Sequence, residues 1–390
     1  RSSDPCSMLI GDPSQMKKLR VAVLYGGRSG EHEVSLQSAA SVINHLDRDR
    51  FEIVPVAIDK QGRWHLNDIS LLEGRKSLPV FKDSPNVVLR PNPGDAASGS
   101  ALIRLGEGGE PRPIDVVFPV MHGPLCEDGT IQGLLELADL PYVGCGVLAS
   151  AVAMDKEMTK RVARDAGIPI VPYVSLKHEL WKKEREQSAR RIEKELGYPV
   201  FVKPANLGSS VGVHKVKEED ELNMALEDAF QYDTKILVEA AVNAREIEVS
   251  ILENPDPGGD PLASVPGEIE PTHEFYSYEA KYLDEKGAAL IIPAKLDAEQ
   301  TKRVQNVGRG IFRALECEGM ARVDMFVERT SGEIFFNELN TIPGFTSISM
   351  YPKLWEASGI SYPELLSKLV ELAILRHERK KALVREFHRA

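Results

Sequence analysis

Met320–Ser349 reads M-A-R-V-D-M-F-V-E-R-T-S-G-E-I-F-F-N-E-L-N-T-I-P-G-F-T-S-I-S. Two apolar runs, 321–327 and 334–339, flank the turn-prone Arg329-Thr330-Ser331-Gly332, which predicts two antiparallel strands. Side chains alternate faces along a strand, so Arg322, Asp324 and Phe326 share one face of the first. The same period places Phe336, Glu338 and Asn340 on one face of the second. Asp324 and Glu338 are equidistant from Ser331, as are Arg322 and Asn340. A simple hairpin register therefore gathers two acids and an amide beside a fixed cation. Two carboxylates and an amide oxygen form the hard-oxygen set that Mg²⁺ takes alongside phosphate oxygens. Polar residues at matched positions of apolar strands read as a metal site rather than as a solvated face.

The remaining sequence sets the context. A chain of 390 residues has room for two or three domains. Its 42% hydrophobic and 27% charged content is that of an ordinary globular protein. With 48 basic and 59 acidic residues the formal net charge is −11, which argues against general nucleic-acid affinity. No apolar run is long enough to span a bilayer, so no membrane partner is expected. Cys6, Cys126, Cys145 and Cys317 have no C-x-x-C or zinc spacing and read as reduced thiols of a cytoplasmic protein. Residues 1–15 lack a signal-peptide pattern and are set aside as an extension preceding the fold.

From Leu19 the pattern is α/β. A buried strand at 19–25 ends at Gly26-Gly27, and helical spacing begins at Val34. This is a doubly wound beginning, where ligands sit at strand ends. The dinucleotide spacing G-x-G-x-x-G is absent, which leaves an oxidoreductase with little support. Glu31 and Glu33 lie near a helix N-terminus, where they either favour its dipole or receive an ammonium group. A second buried strand, 114–120, leads to His122 at its C-terminal end. One helix is expected over 150–166 and a charged helix over 177–196. The strand around Val200–Lys203 then opens into Pro204–Gly212, whose Gly208, Ser209, Ser210 and Gly212 suit phosphate cradling. Lys203 within that strand should meet an anion, with nucleotide phosphate the natural candidate.

The ordered set G-G-R-S-G-E-H-E-V-S (26–35), H-G-P-L-C-E-D-G-T-I-Q-G (122–133), M-D-K (154–156), V-K-P-A-N-L-G-S-S-V-G (202–212), Y-E-A-K-Y (278–282), R-V-D (322–324) and N-E-L-N-T-I-P-G-F-T (337–346) resembles the D-alanine–D-alanine ligases. The likeness runs from Lys18 to about Ile374. It implies a three-domain ATP-grasp fold with an N-terminal doubly wound domain, divided at 16–144, 145–238 and 239–390. It also implies a cytoplasmic homodimer that joins two D-alanines for peptidoglycan precursors, using ATP and two Mg²⁺ or Mn²⁺ ions.

By the same resemblance Asp324, Glu338 and Asn340 would ligate the metals. Lys156 and Lys203 would hold α/β-phosphate oxygens, with Ser209 and Ser210 in the cradle, and Lys281 would reach the γ-phosphate. Glu239, Ala241 and Val242 match the adenine hinge, Glu246 a ribose ligand and Phe326 an adenine-packing ring. Glu33 matches the carboxylate for the first D-alanine's ammonium, with Ser209 and Tyr282 as its partners and His122 nearby. Arg322 and the Gly344 amide match oxyanion stabilisers, and Ser349 a ligand of the second carboxylate. Tyr282 implies an amine second substrate rather than D-lactate, with D-serine the nearer competitor. Two residues depart from the pattern. Cys126 replaces a glycine, where its thiol would either alter the loop geometry or offer a reactive handle, and Ala240 stands where many members have a lysine beside the adenine.

Overall fold

The structure, a computed structural model, describes residues 17–91, 101–106, 112–256, 258–271 and 288–384. Lys281, Tyr282, the loop around them and the first fifteen residues lie outside the described residues.

Leu19–Gly26, Phe51–Ile58 and Val116–Val120 are buried and largely apolar, with Arg20 and Glu52 only near their N-terminal ends, because both faces of their sheet are covered. Leu19–Gly26 lies between the other two, parallel to both, and Trp64–Leu66 adds an antiparallel edge. Val21, Val23 and Tyr25 pack toward helices His32–His45 and Tyr362–Lys381. Ala22 and Leu24 pack on the opposite face, with Ile131 and Leu135 of helix Thr130–Leu137. The C-terminal helix thus buries its apolar face on the sheet that begins the chain. Between Phe51–Ile58 and Val116–Val120 in the chain lies a three-stranded sheet of Val87–Leu89, Ala101–Arg104 and Arg112–Pro113.

A second sheet is antiparallel, in the order His214–Val216, Val200–Pro204, Lys235–Ala240, Tyr173–Lys177. Val200, Val202, Ile236 and Val238 face a core shared with helices Arg185–Leu196 and Glu219–Ala229. Strand alternation turns Phe201, Lys203 and Glu239 to the other face. The expected boundary between 238 and 239 falls inside the strand Lys235–Ala240, so the crossing to the next sheet lies at 241–243.

A third sheet of six strands runs Ala288–Ile291, Gly267–Pro271, Ala244–Leu252, Met320–Glu328, Ile334–Asn340, with Leu262–Ala263 also on Ala244–Leu252. Helix Ala298–Ala314, started by an Asp297–Gln300 capping box, covers its apolar face. The helix expected over 150–166 is two helices, Val147–Met154 and Lys156–Asp165. Asp155 takes extended backbone between them, and its side chain accepts the Met158 N–H at 3.0 Å. An N-cap has therefore replaced a helical residue. The charged helix over 177–196 likewise breaks at Glu184 into His178–Lys183 and Arg185–Leu196.

Candidate active site

The opening hairpin forms, and its register is the one the spacing predicts: Arg322 lies opposite Asn340 and Asp324 opposite Glu338. One residue later the pairing slips, and Met325 lies opposite Phe336. Asn337 is the extra residue of this bulge. The slip corrects the expected common face, because Phe336 is fully buried in the core under the sheet while Glu338 and Asn340 stay on the polar face. Arg322 donates twice to Asp324, from Nε and from a terminal nitrogen, each at 2.7 Å, and its Nε lies 3.1 Å from Glu248. Burial opposes the guanidinium charge, but Asp324 and Glu248 more than offset it and raise its pKa further. Asn340 donates to Asp324 at 3.1 Å. Glu246 lies opposite Phe326 on the neighbouring strand.

Lys156 begins its helix with its backbone N–H on the Ala205 carbonyl at 3.0 Å. Its ammonium donates to the Leu207 carbonyl and lies 3.9 Å from Glu338. Lys203 donates to Glu239 at 2.7 Å and lies 5.9 Å from the Phe326 ring, so the two sheets meet here. Ala241, expected as an adenine-hinge residue, spends its N–H on the Pro199 carbonyl at 3.0 Å, and Val242 follows it. Ser209 and Ser210 both adopt left-handed backbone, φ 54° and 58°, a strained state for non-glycine residues.

That strained loop reaches the end of the first sheet. Ser209 donates its hydroxyl hydrogen to Glu31. A Cβ on Gly123 would stand 2.6 Å from the other oxygen of Glu31, so only glycine allows this approach. Glu33 does not come to the site. It is exposed and pairs with Lys60 at 2.5 Å. The correction follows from helix geometry, since residues two apart on a helical turn point in different directions. Glu127 accepts the Gly123 N–H at 2.8 Å, and burial together with the Glu31 carboxylate pushes its pKa up to about 8. Glu127, Lys156, Gly208, Glu338 and Asn340 line one cleft.

His122 sits beneath this cleft with both ring nitrogens engaged, Nδ1 with the Ile342 carbonyl at 3.1 Å and Nε2 with Ser38 at 3.0 Å. A carbonyl only accepts, so Nδ1 carries the proton and Nε2 accepts from the Ser38 hydroxyl. Burial lowers the imidazole pKa, consistent with this neutral tautomer. Through these two bonds His122 fixes the 342–345 chain. That chain brings Gly344 to Ser349, whose hydroxyl would lie 2.7 Å from any Cβ at position 344. The Ser349 oxygen accepts the Thr346 N–H at 3.0 Å. The reactive handle expected at Cys126 is corrected, because burial raises its thiol pKa and keeps it protonated.

Among the described residues no group of three or more carboxylates, imidazoles and thiols is placed to hold a metal unaided. Two carboxylates and an amide still suit Mg²⁺, which takes few protein ligands and completes its shell with water and substrate phosphate.

Residues 20–145 match the family model described as D-ala D-ala ligase N-terminus, and residues 162–371 match D-ala D-ala ligase C-terminus. The chain belongs to the D-alanine–D-alanine ligase family. It is 56% identical over 375 residues to D-alanine–D-alanine ligase A of Bradyrhizobium diazoefficiens, covering 95% of this chain and 99% of that protein. Among solved structures it is similar to the D-alanine–D-alanine ligase of Coxiella burnetii, with TM-score 0.80, 39% identity and coverage of 94% and 97%. The VanG D-Ala:D-Ser ligase of Enterococcus faecalis aligns with TM-score 0.79, 37% identity and coverage of 92% and 100%. These likenesses give the ligase the ATP-grasp fold, and membership of the family implies use of ATP. Among the described residues no helix is long and apolar enough to cross a membrane.

Three residues of this ligase site escaped the reading of the sequence: Glu127, Lys160 and Glu248. For Lys160 the signal was the four-residue spacing from Lys156, which puts both on one helix face.

Proposed function

We propose that the protein joins two D-alanines to D-alanyl-D-alanine at the expense of ATP, for peptidoglycan precursors. The observation that carries this reading is the cleft where Glu127, from a loop of the first sheet, meets Lys156, Gly208, Glu338 and Asn340, with Glu31 held by Ser209 beside Gly208. A carboxylate for an ammonium group there faces a lysine and acids suited to phosphate and metal.

A carboxylate is a poor acylating agent, so the reaction needs a leaving group. A carboxylate oxygen of the first D-alanine attacks the γ-phosphorus, and the bond to the β–γ bridging oxygen breaks to release ADP. The amine of the second D-alanine, having lost a proton, attacks the acyl carbon. The bond to phosphate breaks, and the nitrogen loses its second proton. In this reading Glu31, held by Ser209, receives the first ammonium. Lys156 and Lys203 hold phosphate oxygens, with Lys281 toward the γ-phosphate. Arg322 and the Gly344 amide stabilise the oxyanion, and Ser349 holds the second carboxylate. Glu239 and Val242 border the adenine, Glu246 the ribose and Phe326 the ring face.

Asp324, Glu338 and Asn340 would hold the metal ions. Bound Mg²⁺ neutralises phosphate charge. Tyr282 would close over the first substrate. We further propose the divisions 16–144, 145–240 and 241–390, a homodimer, and a cytoplasmic location, where ATP is supplied. A monomer in sedimentation velocity would remove the dimer.

The test is ADP release across D- and L-amino acids, followed by product analysis with D-alanine, D-serine and D-lactate supplied together. D-alanyl-D-alanine should dominate. The structural likeness to a D-Ala:D-Ser ligase makes D-alanyl-D-serine the competing outcome, and its dominance would replace the reading.

A further inference from the structure

Helix Lys156–Asp165 begins in the stretch between the two family-model matches, and Lys160 on it is fully buried. A buried ammonium is costly unless it is paired. Its Nζ lies 3.0 Å from one oxygen of Glu239, which is itself 2% exposed. The other oxygen of Glu239 takes the ammonium of Lys203 at 2.7 Å. Lys160 also donates to the carbonyl of Asn337 at 3.4 Å. Asn337 is the bulge residue next to Glu338. One ammonium thus touches the strand of Glu239, the bulge before Glu338 and, through Glu239, the strand of Lys203.

The charge count gives this arrangement a purpose. Lys203 and Glu239 lie diagonally on adjacent strands, Lys203 opposite Leu237 and Glu239 opposite Phe201, so they pair without help. With Lys160 absent, the whole carboxylate charge would fall to Lys203, and an incoming phosphate would compete with it. Lys160 instead takes the carboxylate oxygen that Lys203 does not. The two lysines together hold Glu239 ionised, down to about 2, although burial opposes the charge.

We infer that Lys160 is a positioning residue for ATP: it anchors Glu239 from behind, so that Lys203 is presented to phosphate in register with the Glu338 strand. This rests on the reading of the cleft as an ATP site.

Calorimetric titration with ATP and magnesium chloride tests it, alongside D-alanine kinetics. Lys160→Met should raise the Kd for ATP about tenfold while KM for D-alanine stays within about twofold. The double variant Lys160→Met/Glu239→Gln should bind ATP no more weakly than Glu239→Gln alone, because Lys160 acts through Glu239. Unchanged ATP affinity in Lys160→Met, or additive losses in the double variant, would overturn the inference. If Lys160→Met fails to fold, the double variant still decides, since it replaces the buried ion pair with neutral side chains. Equal affinity to Glu239→Gln supports the inference, and a further loss overturns it. Absence of ATP binding by the unmodified protein would instead reject the ATP-site reading.

Discussion

Ser209 donates its hydroxyl hydrogen to Glu31, joining a strained loop of the antiparallel sheet to the glycine turn of the parallel one across 178 residues of chain. The contact makes Glu31, rather than Glu33, the carboxylate held beside Gly208 at the edge of the cleft. Glu31→Gln should raise KM for D-alanine by about a hundredfold, the cost of stranding a buried ammonium. Glu33→Gln removes only an exposed pair with Lys60 and should change KM less than about twofold. Steady-state kinetics at saturating ATP separate the two; equal effects would sink the assignment.

Glu127 gives the fold a pH dependence with a definite sign. Its ordinary value of 4.5 rises to about 8 in the folded chain through burial and the Glu31 carboxylate. Below 4.5 both states hold the proton and the contribution is fully present. As pH rises toward 8 the unfolded chain releases a proton the folded chain keeps, so stability falls. Glu127→Gln should flatten this part of the profile. Melting temperatures from about pH 5 to about pH 8 should fall further for the unmodified protein than for the variant. Parallel profiles would refute the shift.

The opening hairpin was legible because strand period and turn position fix the register, and they gave the Asp324–Glu338 and Arg322–Asn340 pairs. What pattern could not give was the bulge at Asn337, since an inserted residue leaves the apolar run intact. Phe336 was misplaced for that reason. Glu31 and Glu33 were equally plausible as letters; a close approach permitted only by Gly123 selects between them. Lys160 was passed over because helix lysines are ordinarily solvated, and its burial depends on Glu239, 79 residues away, which local spacing cannot reveal.

Arg376 offers a stability test remote from the chemistry. From the C-terminal helix it donates to the carbonyls of Gly144 and Tyr142, the latter at 2.7 Å, and lies 4.2 Å from the Tyr142 ring centroid. Arg376→Ala would leave two carbonyls short of donors and open a gap beside the ring. Unfolding free energy should fall by about 3 kcal/mol in a urea titration. A change below about 0.5 kcal/mol, the range of an ordinary surface substitution, would contradict the packing.

Asp324 separates the metal reading from a structural one. Its carboxylate holds Arg322 through two hydrogen bonds of 2.7 Å, so a severe substitution would disturb that cation as well. Asp324→Asn preserves shape and one acceptor oxygen, and Glu248 still pairs with Arg322 at 3.1 Å. The fold should therefore persist, with a melting temperature within a few degrees of the unmodified protein, roughly a loss of 1 kcal/mol. ADP release at saturating ATP and D-alanine should nevertheless drop by about a hundredfold or more, because an amide lacks the charge to neutralise a metal bound to phosphate. Chelation of the unmodified protein should abolish ADP release, and added Mg²⁺ should restore it. Full turnover in Asp324→Asn, or turnover that survives chelation, would leave Asp324 only its structural partnership with Arg322.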